Sequence, residues 1–82
     1  MFWLYILFSE KCKKFYVGYS VDVDARLLRH NSGMVNATKN CRPYIFKAKK
    51  TFPSQKEAMQ EESRIKNKKS SKYIQWLIEG NW

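Results

Sequence analysis

Residues 2–19 read FWLYILFSEKCKKFYVGY, two apolar runs around a polar tip. Phe2 to Phe8 is continuously apolar and aromatic, and a run of that length suits a strand buried on both faces. Period-two alternation places Trp3, Tyr5 and Leu7 on one face and Leu4 and Ile6 on the other. The polar stretch Ser9 to Lys14 and a second run, Phe15 to Tyr19, complete an antiparallel hairpin. Tyr16 and Gly18 share a face of the second strand, and a glycine inside a strand marks a close approach by another group.

Beyond the hairpin, Asp22 or Ser20 caps a helix that runs to about His30, with Gly33 as its stop signal. Arg26 and His30 are four apart and lie on the same helical face. Asn31 to Pro43 reads as a polar loop. Tyr44 to Phe52 is a third strand, in which Tyr44, Phe46 and Ala48 alternate with Lys47 and Lys49. Ser54 and Glu57 form a capping box after Pro53. The helix it opens carries Ala58, Glu62 and Ile65 on one stripe, so Glu62 is a carboxylate on the face meant for the core. A basic run from Arg64 to Lys72 leads into a closing helix, Ser71 to Glu79, that stops at Gly80. Trp76, at helical spacing from Tyr73, belongs to the core. The expected fold is α+β: a central three-stranded antiparallel sheet flanked by helices, one domain over residues 1–82.

The charge narrows the partner. Sixteen Lys and Arg stand against seven Asp and Glu, a net charge of +9, while 44% of the 82 residues are hydrophobic. That apolar content excludes a disordered basic tail, and the charge favours a polyanion, because lysine and arginine gain affinity by releasing counterions condensed on phosphates. A membrane surface fits less well: there is no lipidation signal, and Phe2 to Phe8 is too short to span a bilayer and lacks the charged flank of a signal peptide. A cytoplasmic protein is expected. Cys12 and Cys41 have no metal-ligand spacing, and free reduced thiols are the expectation for them.

Two tyrosines on a hairpin, an arginine and a histidine on one helical face and one inward carboxylate are the parts a phosphodiesterase needs. A tyrosine or histidine takes a proton from water, an arginine stabilises charge on the phosphorus oxygens, and a carboxylate holds a divalent metal. The order of these residues resembles the GIY-YIG endonucleases. Trp3-Leu4-Tyr5 corresponds to the family's first motif, with Trp3 where the motif has glycine, and Tyr16-Val17-Gly18 corresponds to the second. Tyr5 and Tyr16 are separated by ten residues, Tyr16 and Arg26 by nine, and Arg26 and His30 by three. Glu62, after FPSQKEA (Phe52 to Ala58), matches the family's metal-binding glutamate, and Asn67 is a loose match for a late asparagine found in some members. The likeness runs from Trp3 to about Lys69 and is greatest to small single-domain bacterial proteins related to the excision-repair and Slx-type nuclease domains.

The resemblance implies a metal-dependent DNA endonuclease using Mg²⁺ or Mn²⁺ in repair or recombination. Tyr5, Tyr16, Arg26, His30 and Glu62 would be catalytic, with Glu62 as the metal ligand. Lys39, Arg42, Lys47, Lys49, Arg64, Lys66, Lys68 and Lys69 are the candidate contacts to DNA. Residues 42–82 hold ten basic and four acidic side chains, a bias that favours a track for a nucleic-acid backbone. A chain this short leaves substrate recognition to a homodimer or a protein partner. Other assignments stand beside these. Tyr5 and Tyr16 could be core aromatics, Arg26 could pair with Asp22 or with Glu62, and the basic run could be a solvated face. On that reading the protein is a non-catalytic nucleic-acid-binding module, or a small interaction protein.

Overall fold

A computed structural model describes residues 1–82. The expected α+β architecture is present. Strands β1 (Phe2–Ser9), β2 (Lys14–Ser20) and β3 (Tyr44–Phe52) form one antiparallel sheet in the order β2-β1-β3, so the most apolar strand is central. Helix α1 (Val23–Asn31) follows the hairpin, α2 (Gln55–Lys68) follows β3, and a short α3 (Ser71–Trp76) comes after it. No helix is long and apolar enough to cross a membrane.

β1 is buried on both faces, as its composition requires. Leu4 and Ile6 pack with Val17, with Ile65 of α2 and with Leu77 on one side. Tyr5 and Leu7 pack with Val23 of α1 and with Tyr44 on the other. Each fully buried aliphatic side chain contributes about 1.5–3 kcal/mol, and a small domain has few of them. The hairpin register pairs Tyr5 with Gly18 and Leu7 with Tyr16.

The helix ends follow their capping chemistry. Asp22 is the cap of α1, its carboxylate accepting from the Ala25 amide at 3.1 Å, while Ser20 holds the Asp22 amide at 3.0 Å. Gly33 turns the chain away at φ 82°, where a Cβ would overlap the Arg42 guanidinium. Ser54 caps α2 through the Glu57 amide at 3.3 Å. Asn31, the last residue of α1, bonds the Tyr44 backbone in both directions, at 2.6 and 3.1 Å, and so fixes the helix to the start of β3.

Four expectations change. Strand β3 does not alternate simply: Ala48 faces Ile6 but Phe46 faces Leu7, so Lys47 is the extra residue of a β-bulge. The closing helix is regular only to Trp76. A wider π turn, Leu77–Asn81, replaces its end, with Gly80 at φ 107°. Trp76 is 49% exposed and stacks on the Tyr73 ring instead of entering the core. Cys12 and Cys41 are bridged, not free. The fold brings the hairpin tip against the short 3₁₀ turn Lys39–Cys41, where Ser9 bonds the Cys41 carbonyl and the Cys12 amide. No local spacing rule reveals that approach.

Candidate active site

Tyr5, Tyr16, Arg26 and Glu62 line one cleft of roughly 350 Å³, together with Gly18, Tyr19 and Ser20. Each of the four arrives from a different element. Tyr5 stands on the central strand and Tyr16 on the edge strand beside it, their rings 6.4 Å apart. The opening between them is Gly18, whose absent side chain is required: a Cβ there would lie 2.7 Å from the Tyr5 hydroxyl and 3.0 Å from the Tyr16 ring. Glu62 comes from α2, between the buried residues Ala58 and Ile65, and its side chain keeps 20% of its surface exposed.

His30 lies beneath the cleft and does not line it. The ring is fully buried, within 4.7 Å of the Tyr16 ring and about 6 Å from those of Tyr5 and Tyr44. Its Nε2 is 3.0 Å from the Tyr5 hydroxyl and its Nδ1 is 2.8 Å from Thr38 Oγ1. Thr38 gives its own hydroxyl hydrogen to the Val35 carbonyl at 3.3 Å. Having only one hydrogen, Thr38 must then accept from His30 Nδ1–H. That leaves Nε2 bare, and Tyr5 donates to it. Thr38, which the local sequence pattern does not single out, therefore sets the tautomer of the histidine.

Burial, reinforced by the Arg26 and Arg29 charges, pushes the His30 pKa down to about 4. Burial also raises the Tyr5 phenol to about 12, with the adjacent Arg26 guanidinium opposing the shift. At neutral pH the pair is an uncharged donor and an uncharged acceptor. The consequence for stability has a definite sign. Unfolded, His30 takes a proton near pH 6.5; folded, only near 4, so between those values the unfolded chain binds more protons. Stability is complete above about pH 6.5 and declines as pH falls toward 4, by about 2 kcal/mol. Urea unfolding at about pH 7 and about pH 4.5 should show this loss, and His30→Gln should flatten it in the same window.

Arg26 has no acidic partner. Neither alternative pairing forms, because Asp22 caps its helix and Glu62 lies instead 3.3 Å from the Lys66 ammonium. Arg26 Nε is buried without any hydrogen-bond acceptor. A guanidinium without an acidic partner, lining a cleft, is suited to anionic oxygens.

The eight basic candidates separate. Lys66 and Lys69 line a second groove next to the cleft. Arg64 is taken up by Glu61, at 2.7 Å, and by Tyr73, and Lys68 lies over the Tyr73 ring. Lys47 and Lys49, on the outer strand β3, lie over Phe8 and Trp3. Lys39 and Arg42 are exposed in and after the 3₁₀ turn. Asn67 lines a shallow depression on the outer surface of α2, with Met59 and Arg64, and not the cleft.

The family model for the GIY-YIG catalytic domain matches residues 1–74. The chain is similar to the UPF0213 protein SSP2268 of Staphylococcus saprophyticus, 32% identical over 77 residues that cover 90% of this chain and 94% of the relative. It is also similar to the UPF0213 protein SH2523 of Staphylococcus haemolyticus, 38% identical over 63 residues, covering 73% and 77% of the two chains. The solution NMR structure of the UPF0213 protein BH0048 from Bacillus halodurans has a TM-score of 0.58 and 33% identity, covering 96% of this chain and 84% of that one. With the tyrosines, arginine and glutamate gathered in one cleft and the family model spanning nearly all of the sequence, the chain belongs to the GIY-YIG catalytic domain family.

Proposed function

We propose that the protein is a metal-dependent endonuclease that hydrolyses DNA phosphodiester bonds with a single metal ion, in repair or recombination. The observation that carries this reading is the meeting of Tyr5, Tyr16, Arg26 and Glu62 in one cleft. Family membership supports nuclease chemistry, and divalent-metal dependence is general among such nucleases.

The donor set fits one hard cation. No cluster of three acidic, histidine or cysteine ligands exists, and Glu62 is the one carboxylate in the cleft. One carboxylate completed by waters and phosphate oxygens is how Mg²⁺ is commonly held at phosphoryl sites. The Lys66 ammonium beside Glu62 is a cation already standing at that carboxylate. When bound, Mg²⁺ or Mn²⁺ neutralises charge on the phosphate and the leaving oxygen.

Arg26 binds a non-bridging oxygen of the scissile phosphate with the part of its guanidinium that lines the cleft. Tyr16, half-buried at the rim, orients the attacking water. Tyr5 receives the proton of that water as its own hydrogen passes to His30 Nε2. A free phenolate is excluded at neutral pH by the raised Tyr5 pKa, so the transfer is concerted. Phosphate on Arg26 offsets one of the two charges that add to burial in holding the His30 pKa down, and substrate binding thus eases proton uptake there. His30 acts through Tyr5 and does not touch substrate. Among the basic residues, Lys66 and Lys69 are best placed to hold DNA. We infer a cytoplasmic enzyme, where its substrate resides and where the Cys12–Cys41 bridge would be open to reduction, relying on a second copy or a protein partner for recognition.

The test compares the unaltered protein with Glu62→Ala on labelled duplex and branched DNA. Metal-dependent cleavage should fall by about 100-fold or more in Glu62→Ala, while binding is retained. Equal binding by both proteins with no cleavage by either would establish the non-catalytic binding module instead.

A further inference from the structure

Beside the cleft, a groove of roughly 320 Å³ runs between the hairpin tip and the junction of α2 with α3. Tyr16 belongs to both. Lys13 and Lys14 form one wall, Lys66 and Lys69 the other, and no acidic side chain lines it. We propose that this groove is a second phosphate subsite, which grips the backbone of the substrate strand beyond the scissile phosphate. The subsite rests on the nuclease reading above and adds to it where the strand runs.

The backbone supplies an independent reason. Only two residues other than glycine have positive φ, Lys13 at 54° and Lys69 at 49°, and both line this groove. Left-handed backbone is the ordinary place of glycine or asparagine, and any other side chain is strained there. Lys69 occupies the position after α2 at which glycine is the usual choice. Strain of this kind concentrates where a side chain serves a function. Here both strained positions carry an ammonium, and both point the site toward an anion.

The ammonium groups are free to serve it. Lys14 and Lys69 have no acidic partner, and the Lys13–Glu10 pair is 2.9 Å long but largely solvated, so it holds its lysine weakly. Lys66 pairs with Glu62 at 3.3 Å and would be freed for an anion if a metal cation took its place at that carboxylate. Phe15 and Ile74 are also in the lining, an apolar surface that suits sugars and base faces better than a bare ion. Both walls are fixed: the tip by the Cys12–Cys41 bridge and the Cys12 amide on Ser9 at 3.0 Å, and the other side by the Lys69 amide on the Lys66 carbonyl at 3.2 Å.

Glycine at positions 13 and 69 removes the ammonium groups while relieving the backbone, which separates function from folding. In a Glu62→Gln chain, where binding is read without cleavage, Lys13→Gly with Lys69→Gly should raise the melting temperature by about 4 °C or more. The same change should weaken binding of a labelled duplex on the order of tenfold, and the slope of log affinity against log salt should flatten by about 0.9 for each ammonium lost. Lys56→Ala, on the outer surface of α2, removes a charge elsewhere and should have a much smaller effect. Unchanged affinity and slope in the double variant, or an equal loss in Lys56→Ala, would overturn the subsite and leave the nuclease reading standing. A Glu62→Gln parent that binds no DNA would overturn both.

Discussion

Reduction of the Cys12–Cys41 bridge should lower the melting temperature by about 15–25 °C. The bridged residues are 29 apart in sequence, and closing a loop of that size removes chain entropy from the unfolded state worth about 3–4 kcal/mol. In a domain of this size each kcal/mol moves the melting temperature by roughly 4–8 °C. The loop contains β2, α1 and Thr38, so the bridge secures the elements that present Tyr16, Arg26 and His30. A small core leaves little reserve to absorb the loss. Thermal unfolding followed by circular dichroism, with and without reductant and for Cys12→Ser with Cys41→Ser, checks the expectation. A melting temperature indifferent to both would mean that the hairpin tip and the 3₁₀ turn are held by their hydrogen bonds alone.

The second large effect is expected at Gly18, which makes no chemical contribution of its own. An added methyl would lie 2.7 Å from the Tyr5 hydroxyl and 2.9 Å from its ring carbon. Tyr5 is 1% exposed and bonded to His30, so any shift of its hydroxyl disturbs that bond. Gly18→Ala must therefore move Tyr5 or Tyr16 by several tenths of an ångström. Overpacking of this kind costs about 1–3 kcal/mol of stability. Cleavage suffers as well, by about tenfold or more, because misplacing a reacting group by about 1 Å costs about 100-fold. The comparison of single-turnover cleavage rate with unfolding free energy separates the two. A variant that is destabilised but cleaves normally would remove Tyr5 from the reaction.

The parts of this molecule legible in its sequence are those set by short-range periodicity. The hairpin, the two-sided burial of β1, the caps at Asp22 and Ser54 and the inward stripe carrying Glu62 all follow from neighbours within a few residues. Gly18 is legible as a place of close approach, although the group that approaches is the Tyr5 side chain across the strand pair. What stays hidden depends on contacts between distant segments. Thr38 reaches His30 only because the loop after α1 folds back under the sheet, and Cys41 meets Cys12 for the same reason. Lys13 and Lys14 read as a polar turn until the end of α2 stands opposite them. The bulge at Lys47 is set by pairing with β1, which a strand's own alternation does not encode. Trp76 misleads because helical spacing says which residues share a face, not whether that face is covered.

On the proposed reading, four side chains gathered from β1, β2, α1 and α2 cut DNA. The most direct measurement is strand scission of end-labelled duplex and branched DNA by the purified protein, with Mg²⁺ or Mn²⁺ and with EDTA. The expected cuts require the metal, disappear with EDTA and are lost in Arg26→Ala as well as in Glu62→Ala. Intact DNA under every metal condition, from a folded protein that binds it, would overturn the nuclease reading.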